Sequence, residues 1–363
     1  MSVRLRPALA ALPDYDPRDL TDDGIRIRLH RNESALPPPA FVVDAVRAIG
    51  SEALRTYPTA MQREVGERLA ARFSRDAANL VLANGADEIL AACARAVLDA
   101  GDNAITLAPT FGMYARVVAL AGASLRRVPY DARWRMDASA VTAAADERTR
   151  LVILGHPNNP TGDALRASDL ETIARALPSA LILVDEVYLA LSERSLARTS
   201  AARFENVVIV GSFSKCASLA GTRLGYLLGT PEIAAALRRS LGPYPVSALS
   251  LVAAQAYLRD PAAARAFETQ LEAQVTRSLD ALEAALLPFA RETWRGPANF
   301  ILADCGTRAA QVRDGLAECG IAVRIFDDPM LAGMVRLCAA DDENTAEVTG
   351  ALRAIAAKED AYA

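Results

Sequence analysis

Two rhythms of apolar residues divide the chain. Between residues 79 and 229, short aliphatic runs recur: "NLVLA" (79–83), "NAITLA" (103–108), "SLRRVPY" (124–130), "RLVILGH" (150–156), "ALILVDE" (180–186), "NVVIVGS" (206–212) and "RLGYLLG" (223–229). Runs this short and this apolar read as strands, most of them buried on both faces, and helical patterns lie between most of them. Such alternation predicts an α/β fold: a large, mainly parallel sheet sandwiched by helices, with ligands at the carboxyl ends of the strands. After residue 243 the rhythm changes. Residues 247–288 are nearly continuous helix former, broken by "DPAA" at 260–263, and predict a long helix bridging two domains. Strand-like "ANFILADC" (298–305), a helix over 307–318, "IAVRIF" (321–326), "MVRLCAA" (334–340) and a last helix from 343 make a smaller α+β unit. The first 50 residues are Pro-rich, with one helix around 40–49, and are expected to pack with that unit. The expected division is an N-terminal segment 1–50, a large domain 51–265 and a small C-terminal domain 266–363.

Composition narrows the function. With 363 residues, 52% of them hydrophobic, the chain can bury a large core. A net charge of −4 argues against nucleic acid as a partner. No apolar run reaches membrane-helix length. The opening "MSVRLRPALAALPDYDPRD" has too brief and too Pro-flanked an apolar run for a signal peptide. The five cysteines are scattered without a CxxC pair, as reduced cytoplasmic thiols would be. His30 and His156 are the only histidines, so a zinc site or a Ser-His-Asp triad is poorly supplied.

The chemistry-bearing residues follow the strands. After "LVLA" comes Asn84-Gly85-Ala86-Asp87-Glu88, opening a helix. Small residues there present backbone N–H groups at the positive end of the helix dipole, which is either an anion cradle around Ala86 and Asp87 or a plain N-cap. After "RLVILG" comes "HPNNPTG" (156–162), a rigid turn that presents the amide of Asn158. After "LILV" comes Asp185-Glu186-Val187-Tyr188. A carboxylate ending a buried strand needs a partner, either a cationic ring nitrogen or a protein arginine.

The sixth run leads into "SFSKCASLAGTRLGY" (212–226), which contains Lys215. The chain has 40 Lys plus Arg, yet only Lys215 and Lys358 are lysines, and Lys358 sits in the polar tail. A structural ion pair at 215 could have been filled by arginine, as elsewhere in the chain. Lysine differs in that its amine can lose a proton and attack a carbonyl. Ser212, Ser214 and Arg223 beside it suit a phosphate dianion. An anion cradle, an amide, a carboxylate for a ring nitrogen, a phenol and a carbonyl-binding lysine together describe a pyridoxal phosphate site. Asp185 would keep the pyridine nitrogen protonated, and Asn158 and Tyr188 would hydrogen-bond the ring's 3-oxygen, holding it anionic.

The ordered motifs "NGADE…PTFGMY…HPNNPTG…VDEVY…SFSKCASLAGTRLGY…PANF…GIAVR…VRLC" resemble the fold-type I, class I/II aminotransferases, most nearly their histidinol-phosphate aminotransferase branch. The resemblance runs from residue 29 to 350. It implies that Phe111 stacks on the cofactor ring. It also implies that Tyr57 reaches the cofactor phosphate of a neighbouring subunit, making a homodimer. Arg336, with Arg324 as a second candidate, would bind the anionic end of the substrate. "RNES" (31–34), with Asn32 and Glu33, matches the segment that closes over the substrate, although Ser34 stands where the family usually has asparagine. His156, Cys216-Ala217-Ser218 and "VRLCAAD" also depart from the usual pattern, and all of them are expected on or near the substrate side.

The implied reaction is transfer of an amino group from a small amino donor, histidinol phosphate or an amino acid, to a 2-oxo acid such as 2-oxoglutarate. Lys215, Asp185 and Tyr188 would be its catalytic residues. A decarboxylase or an oxidase would use the same cofactor and differ in product. A non-catalytic sensor fused to a DNA-binding region would need length and basic charge that this chain lacks.

Overall fold

The computed structural model describes residues 24–360, the side chains of 358–360 excepted, together with Val3, Leu9 and Leu12 of the opening segment. The signal-peptide question therefore falls on residues outside those described. Thirteen strands form among the described residues: β1 (Ile27–Arg28), β2 (Leu80–Ala83), β3 (Asn103–Ala108), β4 (Ser124–Pro129), β5 (Thr149–Gly155), β6 (Leu181–Asp185), β7 (Val207–Ser212), β8 (Gly225–Leu228), β9 (Glu292–Arg295), β10 (Phe300–Asp304), β11 (Ile321–Ala322), β12 (Arg324–Ile325) and β13 (Met334–Cys338). The chain divides into two units. The first holds Pro38–Asn159 and Asp163–Ala264; the second holds Pro160–Gly162, Arg265 onward and the described residues 24–37.

The first unit is built on a seven-stranded sheet of order β2-β8-β7-β6-β5-β3-β4. All neighbours are parallel except β8, which runs antiparallel to both β2 and β7. Strands β2, β3, β6, β7 and β8 are buried at every position, as strands covered on both faces must be. The edge strand β4 instead carries exposed and half-buried positions, with Arg126 and Arg127 among them, and charge of this kind blunts an edge against pairing. The chain leaves β3 for β4 at the edge, then returns to place β5 on the other side of β3. That reversal is the topological switch point where open α/β sheets bind ligands.

The second unit has a four-stranded antiparallel sheet of order β12-β13-β10-β9 and a parallel pair β1-β11. The run "IAVRIF", expected as one strand, changes partner at Val323: Ile321–Ala322 pairs with β1 and Arg324–Ile325 with β13. Strand β9, "ETWR", was not foreseen, because it has no apolar run and gains its place only by pairing with β10. Two helices flank the "DPAA" break, Ala248–Arg259 and Pro261–Leu286, and the division between units falls inside the second. The helix over Ala40–Arg47, expected to accompany the small domain, belongs to the first unit. Helix Thr59–Arg72 buries only Val65, Gly66, Leu69 and Ala70, a face too small to stand out in the sequence. No helix among the described residues is long and apolar enough to cross a membrane.

Candidate functional site

The carboxyl ends of the parallel strands gather the expected residues of the first unit. Asp185 is the last residue of β6, paired across to Gly155 of β5 and Val210 of β7. The residue is 4% exposed, and its carboxylate accepts hydrogen bonds from the Tyr114 hydroxyl (2.9 Å) and the Val187 N–H (3.3 Å). No arginine or lysine pairs with it among the described residues, so the protein-arginine alternative is not realised. Burial pushes the Asp185 carboxyl up to about 6, and the hydrogen bond from Tyr114 opposes that rise. The same burial, with the adjacent carboxylate, holds the Tyr114 phenol well above its usual range. Tyr114 was missed in the sequence. It lies inside "PTFGMY", at the start of helix Met113–Ala121, and only the fold turns it toward β6.

The next element is the anion cradle. Helix Gly85–Val97 starts directly after β2, and the Asn84 side chain makes no capping bond to it. Gly85 has φ +82°, and a Cβ there would lie 2.7 Å from Arg223 Nη2. Gly225 packs against this helix start so tightly that a Cβ would lie 2.4 Å from the Gly85 carbonyl carbon and 2.6 Å from the Ala86 nitrogen. Arg223, itself left-handed at φ +52°, reaches Asp87 (Nη2 to Oδ2, 3.2 Å). Across the β7–β8 pair, Ser212 Oγ lies 2.8 Å from Ser214 Oγ and 3.1 Å from the Leu224 carbonyl oxygen. Two hydroxyls, a guanidinium and a glycine-opened helix start are a donor set that suits a phosphate.

Lys215 sits in the short helix Phe213–Cys216 that ends β7. Its neighbour Cys216 places Sγ 3.3 Å from the Tyr188 carbonyl oxygen and 3.8 Å from that of Val187, so the lysine segment runs alongside the Asp185–Tyr188 turn. At the switch point, the Asn158 amide donates to the Pro109 carbonyl (3.0 Å) and accepts from the Thr110 hydroxyl (2.5 Å). Phe111 meets Tyr114 edge-on at 5.7 Å between centroids. Tyr57 is 75% exposed and stacks on Tyr244 at 4.3 Å. His156, expected on or near the substrate side, is buried: its Nδ1 accepts from the Leu165 N–H, and its Nε2 lies 3.9 Å from Glu186 Oε1.

The remaining expected residues belong to the second unit. Arg324 and Arg336 are directly opposite on β12 and β13, and both guanidinium groups lie 5.9 Å from the Phe326 ring centroid. Arg336 is buried and donates to the His30 carbonyl. Asn32 takes a left-handed backbone, φ +51°, and Glu33 pairs with Arg28 at 3.0 Å. Asn299 of "PANF", unmarked in the sequence, donates to the carbonyls of both Asn32 (3.2 Å) and Glu33 (2.9 Å). No metal-binding cluster forms among the described residues.

A buried carboxylate ending β6, a lysine just past the end of β7 and a donor set suited to phosphate are what a fold-type I pyridoxal-phosphate-dependent transferase needs. The family model "Aminotransferase class I and II" matches residues 25–355, and the chain belongs to that family. The histidinol-phosphate aminotransferase of Symbiobacterium thermophilum is 32% identical over 362 residues, covering 96% of this chain and 98% of that protein. The histidinol-phosphate aminotransferase of Stenotrophomonas maltophilia is 33% identical, covering 96% of each chain. The crystal structure of histidinol-phosphate aminotransferase from Sinorhizobium meliloti, in complex with pyridoxal-5'-phosphate, superposes with a TM-score of 0.89 at 26% identity over 99% of each chain.

Proposed function

We propose that this aminotransferase uses pyridoxal phosphate to move an amino group from an anionic donor, histidinol phosphate first among the candidates, to a 2-oxo acid such as 2-oxoglutarate. The names of the relatives favour that donor. The observation that carries the cofactor is Asp185: a fully buried carboxylate with only a phenol and one amide as donors fits a cationic ring nitrogen. When bound, the cofactor supplies an electron sink.

The chain's own residues do the rest. Lys215 would hold the cofactor through its amine. With substrate bound, that tethered amine would be the general base that carries the α-proton. Asp185, oriented by Tyr114, keeps the ring nitrogen protonated through fixed charge. Asn158 and Tyr188 hold the 3-oxygen, and Phe111 stacks on the ring. Ser212, Ser214, Arg223 and the backbone of Ala86 and Asp87 hold the phosphate.

Arg324 and Arg336 stand directly opposite on neighbouring strands, so the pair offers two guanidinium groups to one anion. That supports a phosphate or carboxylate on the substrate, with Asn32 and Glu33 in the segment that closes over it. A homodimer, with Tyr57 serving the neighbouring subunit, is supported by exposed Leu54, Tyr57, Tyr244 and Leu249 on the first unit. Five cysteines that remain thiols, with no disulfide among them, accord with a cytoplasmic location.

The test is a panel of half-reactions. The holoenzyme is mixed with histidinol phosphate and with aromatic and acidic amino acids, and its visible absorbance is followed. Rapid bleaching by histidinol phosphate, restored by 2-oxoglutarate and without CO₂ release or oxygen uptake, is expected. Equal or faster bleaching by an amino acid overturns the donor assignment.

A further inference from the structure

Strands β5 and β6 end in the same device. His156 follows β5, and its Nδ1 accepts from the N–H of Leu165 at 2.9 Å. That bond closes the loop 156–165, which carries Asn158 and has an inner bond from Asn158 N–H to the Asp163 carbonyl at 2.8 Å. Glu186 follows β6, and its carboxyl accepts from the Leu196 N–H (2.7 Å) and the Ser195 hydroxyl. Those bonds close the loop 186–196, which carries Tyr188. The closing groups face each other, Nε2 to Oε1 at 3.9 Å, and both are buried, Glu186 completely. The strand ends are themselves joined, because His156 N–H donates to the Asp185 carbonyl at 2.8 Å.

Nothing in transamination requires an imidazole and a second carboxyl here, yet burying them unpaired would be costly. We infer that His156 and Glu186 form one buried latch that sets the positions of Asn158 and Tyr188, and through them the proton affinity of the lysine-bound chromophore. They are positioning residues and touch neither cofactor nor substrate. The inference rests on the assignment of Asn158 and Tyr188 to the 3-oxygen. Burial draws the His156 imidazole down to about 4, leaving Nδ1 open as an acceptor at neutral pH with the ring proton on Nε2. Burial likewise pushes the Glu186 carboxyl up to about 8, so the facing pair is neutral. Arg194 acts electrostatically on His156, Asp185 and Tyr226 on Glu186, Asp87 and Tyr114 on Asp185, and Tyr130 and Tyr188 on Tyr114. All of these neighbours are unchanged in the His156 and Glu186 variants below.

The experiment has two readouts. In the cofactor-free protein, amide hydrogen exchange is followed at Leu165 and Leu196. In the holoenzyme, the pH midpoint of the visible absorbance change is measured. His156→Phe, which deletes the acceptor but keeps the volume, is expected to speed exchange at Leu165 about tenfold, the effect of one lost hydrogen bond. It is also expected to raise the chromophore midpoint by roughly one pH unit. His156→Asn, whose Oδ1 stands where Nδ1 was, restores both. Glu186→Leu does the same at Leu196, and Glu186→Gln, a neutral acceptor, restores it. Should His156→Phe not fold, His156→Gln, with its acceptor one bond further out, gives the contrast with His156→Asn. Wild-type exchange at both amides in the deletion variants overturns the latch. A midpoint that they leave in place while Asn158→Ala moves it overturns its effect on the chromophore. A midpoint unmoved by Asn158→Ala and Tyr188→Phe overturns the 3-oxygen assignment instead, and the exchange data still judge the latch.

Discussion

The two units hold their charged groups in opposite ways. In the first, the key carboxylate is isolated: Asp185 is buried with a phenol and an amide for company, and its carboxyl is pushed up to about 6. In the second, two like charges are set face to face on β12 and β13, around one phenyl ring. In the function proposed above, a ring cation would lie against the first and a substrate anion against the second. The difference teaches what each unit is tuned to. The isolated carboxylate fits one resident cofactor, because its surroundings leave room for a single charge state. As proposed, the arginine pair would accept any anion that reaches it, which defines a substrate class and leaves the particular member open.

The most severe break is Lys215→Ala. It removes the general base and the covalent anchor together, and loss of the base alone costs on the order of 10²–10⁴ in rate. Turnover is expected to fall by at least that much, with loss of the holoenzyme's visible absorbance. A variant that keeps both the band and full turnover removes Lys215 from the chemistry. Asp185→Asn comes next, with a rate loss on the order of 10²–10³, since it removes one preorganised charge and leaves the anchor. The same variant sharpens the comparison through stability. A carboxyl raised to about 6 in the fold binds its proton more tightly there than in the unfolded chain. Its contribution is therefore fully present below about 4 and is lost as pH rises through 6. The cofactor-free wild type is expected to lose thermal stability between those pH values, and Asp185→Asn to lose less. Identical pH profiles of melting for the two proteins would show that Asp185 is not strained by its burial.

Much of the first unit was legible because its signals are local. Strands buried on both faces must be apolar along their length, so "LVIL", "LILV" and "VVIV" announce themselves, and the polar residue that ends each run marks the functional edge. Lys215 stood out for a different reason, the scarcity of lysine in an arginine-using chain. What stayed hidden is what only tertiary structure creates. Tyr114 looks like one more aromatic on an apolar helix until the fold sets it 2.9 Å from Asp185. His156 looked like a substrate-side departure, yet its imidazole bonds a backbone amide nine residues on in the buried interior. Strand β9 is charged and short, and it exists because β10 offers a partner. In the second unit the names of the arginines were readable from "GIAVR" and "VRLC", but their cross-strand opposition was not, since the run 321–326 changes partner midway.

A milder break separates the two arginines. Arg336 is buried, so Arg336→Ala is expected to raise KM for an anionic donor by about 10–100-fold, the effect of a lost charge-assisted contact at 1.5–3 kcal/mol. Arg336→Lys recovers little of it, because an ammonium cannot reproduce a planar fork held over Phe300 and Phe326. Arg324, half-buried, is expected to cost less. Steady-state kinetics with a phosphorylated donor and its dephosphorylated counterpart checks this. If both variants lose the same factor on both donors, the pair is structural.

The smallest expected effect belongs to Tyr57. Its ring is 75% exposed and already stacked on Tyr244, so Tyr57→Phe keeps the stack and deletes one hydroxyl. A single neutral hydrogen bond is worth about 0.5–1.5 kcal/mol, so pyridoxal phosphate is expected to bind about 2–10-fold more weakly. The turnover of the saturated enzyme should be nearly unchanged, because the phosphate is remote from the proton being moved. The informative form of the experiment mixes subunits. Lys215→Ala chains are combined with Tyr57→Phe chains, and cofactor retention is measured in the heterodimer. If Tyr57 serves the neighbouring subunit, the only site that keeps Lys215 is completed by the wild-type Tyr57 of its partner and holds cofactor as tightly as the wild type. If Tyr57 serves its own subunit, that site carries the Tyr57→Phe defect undiluted.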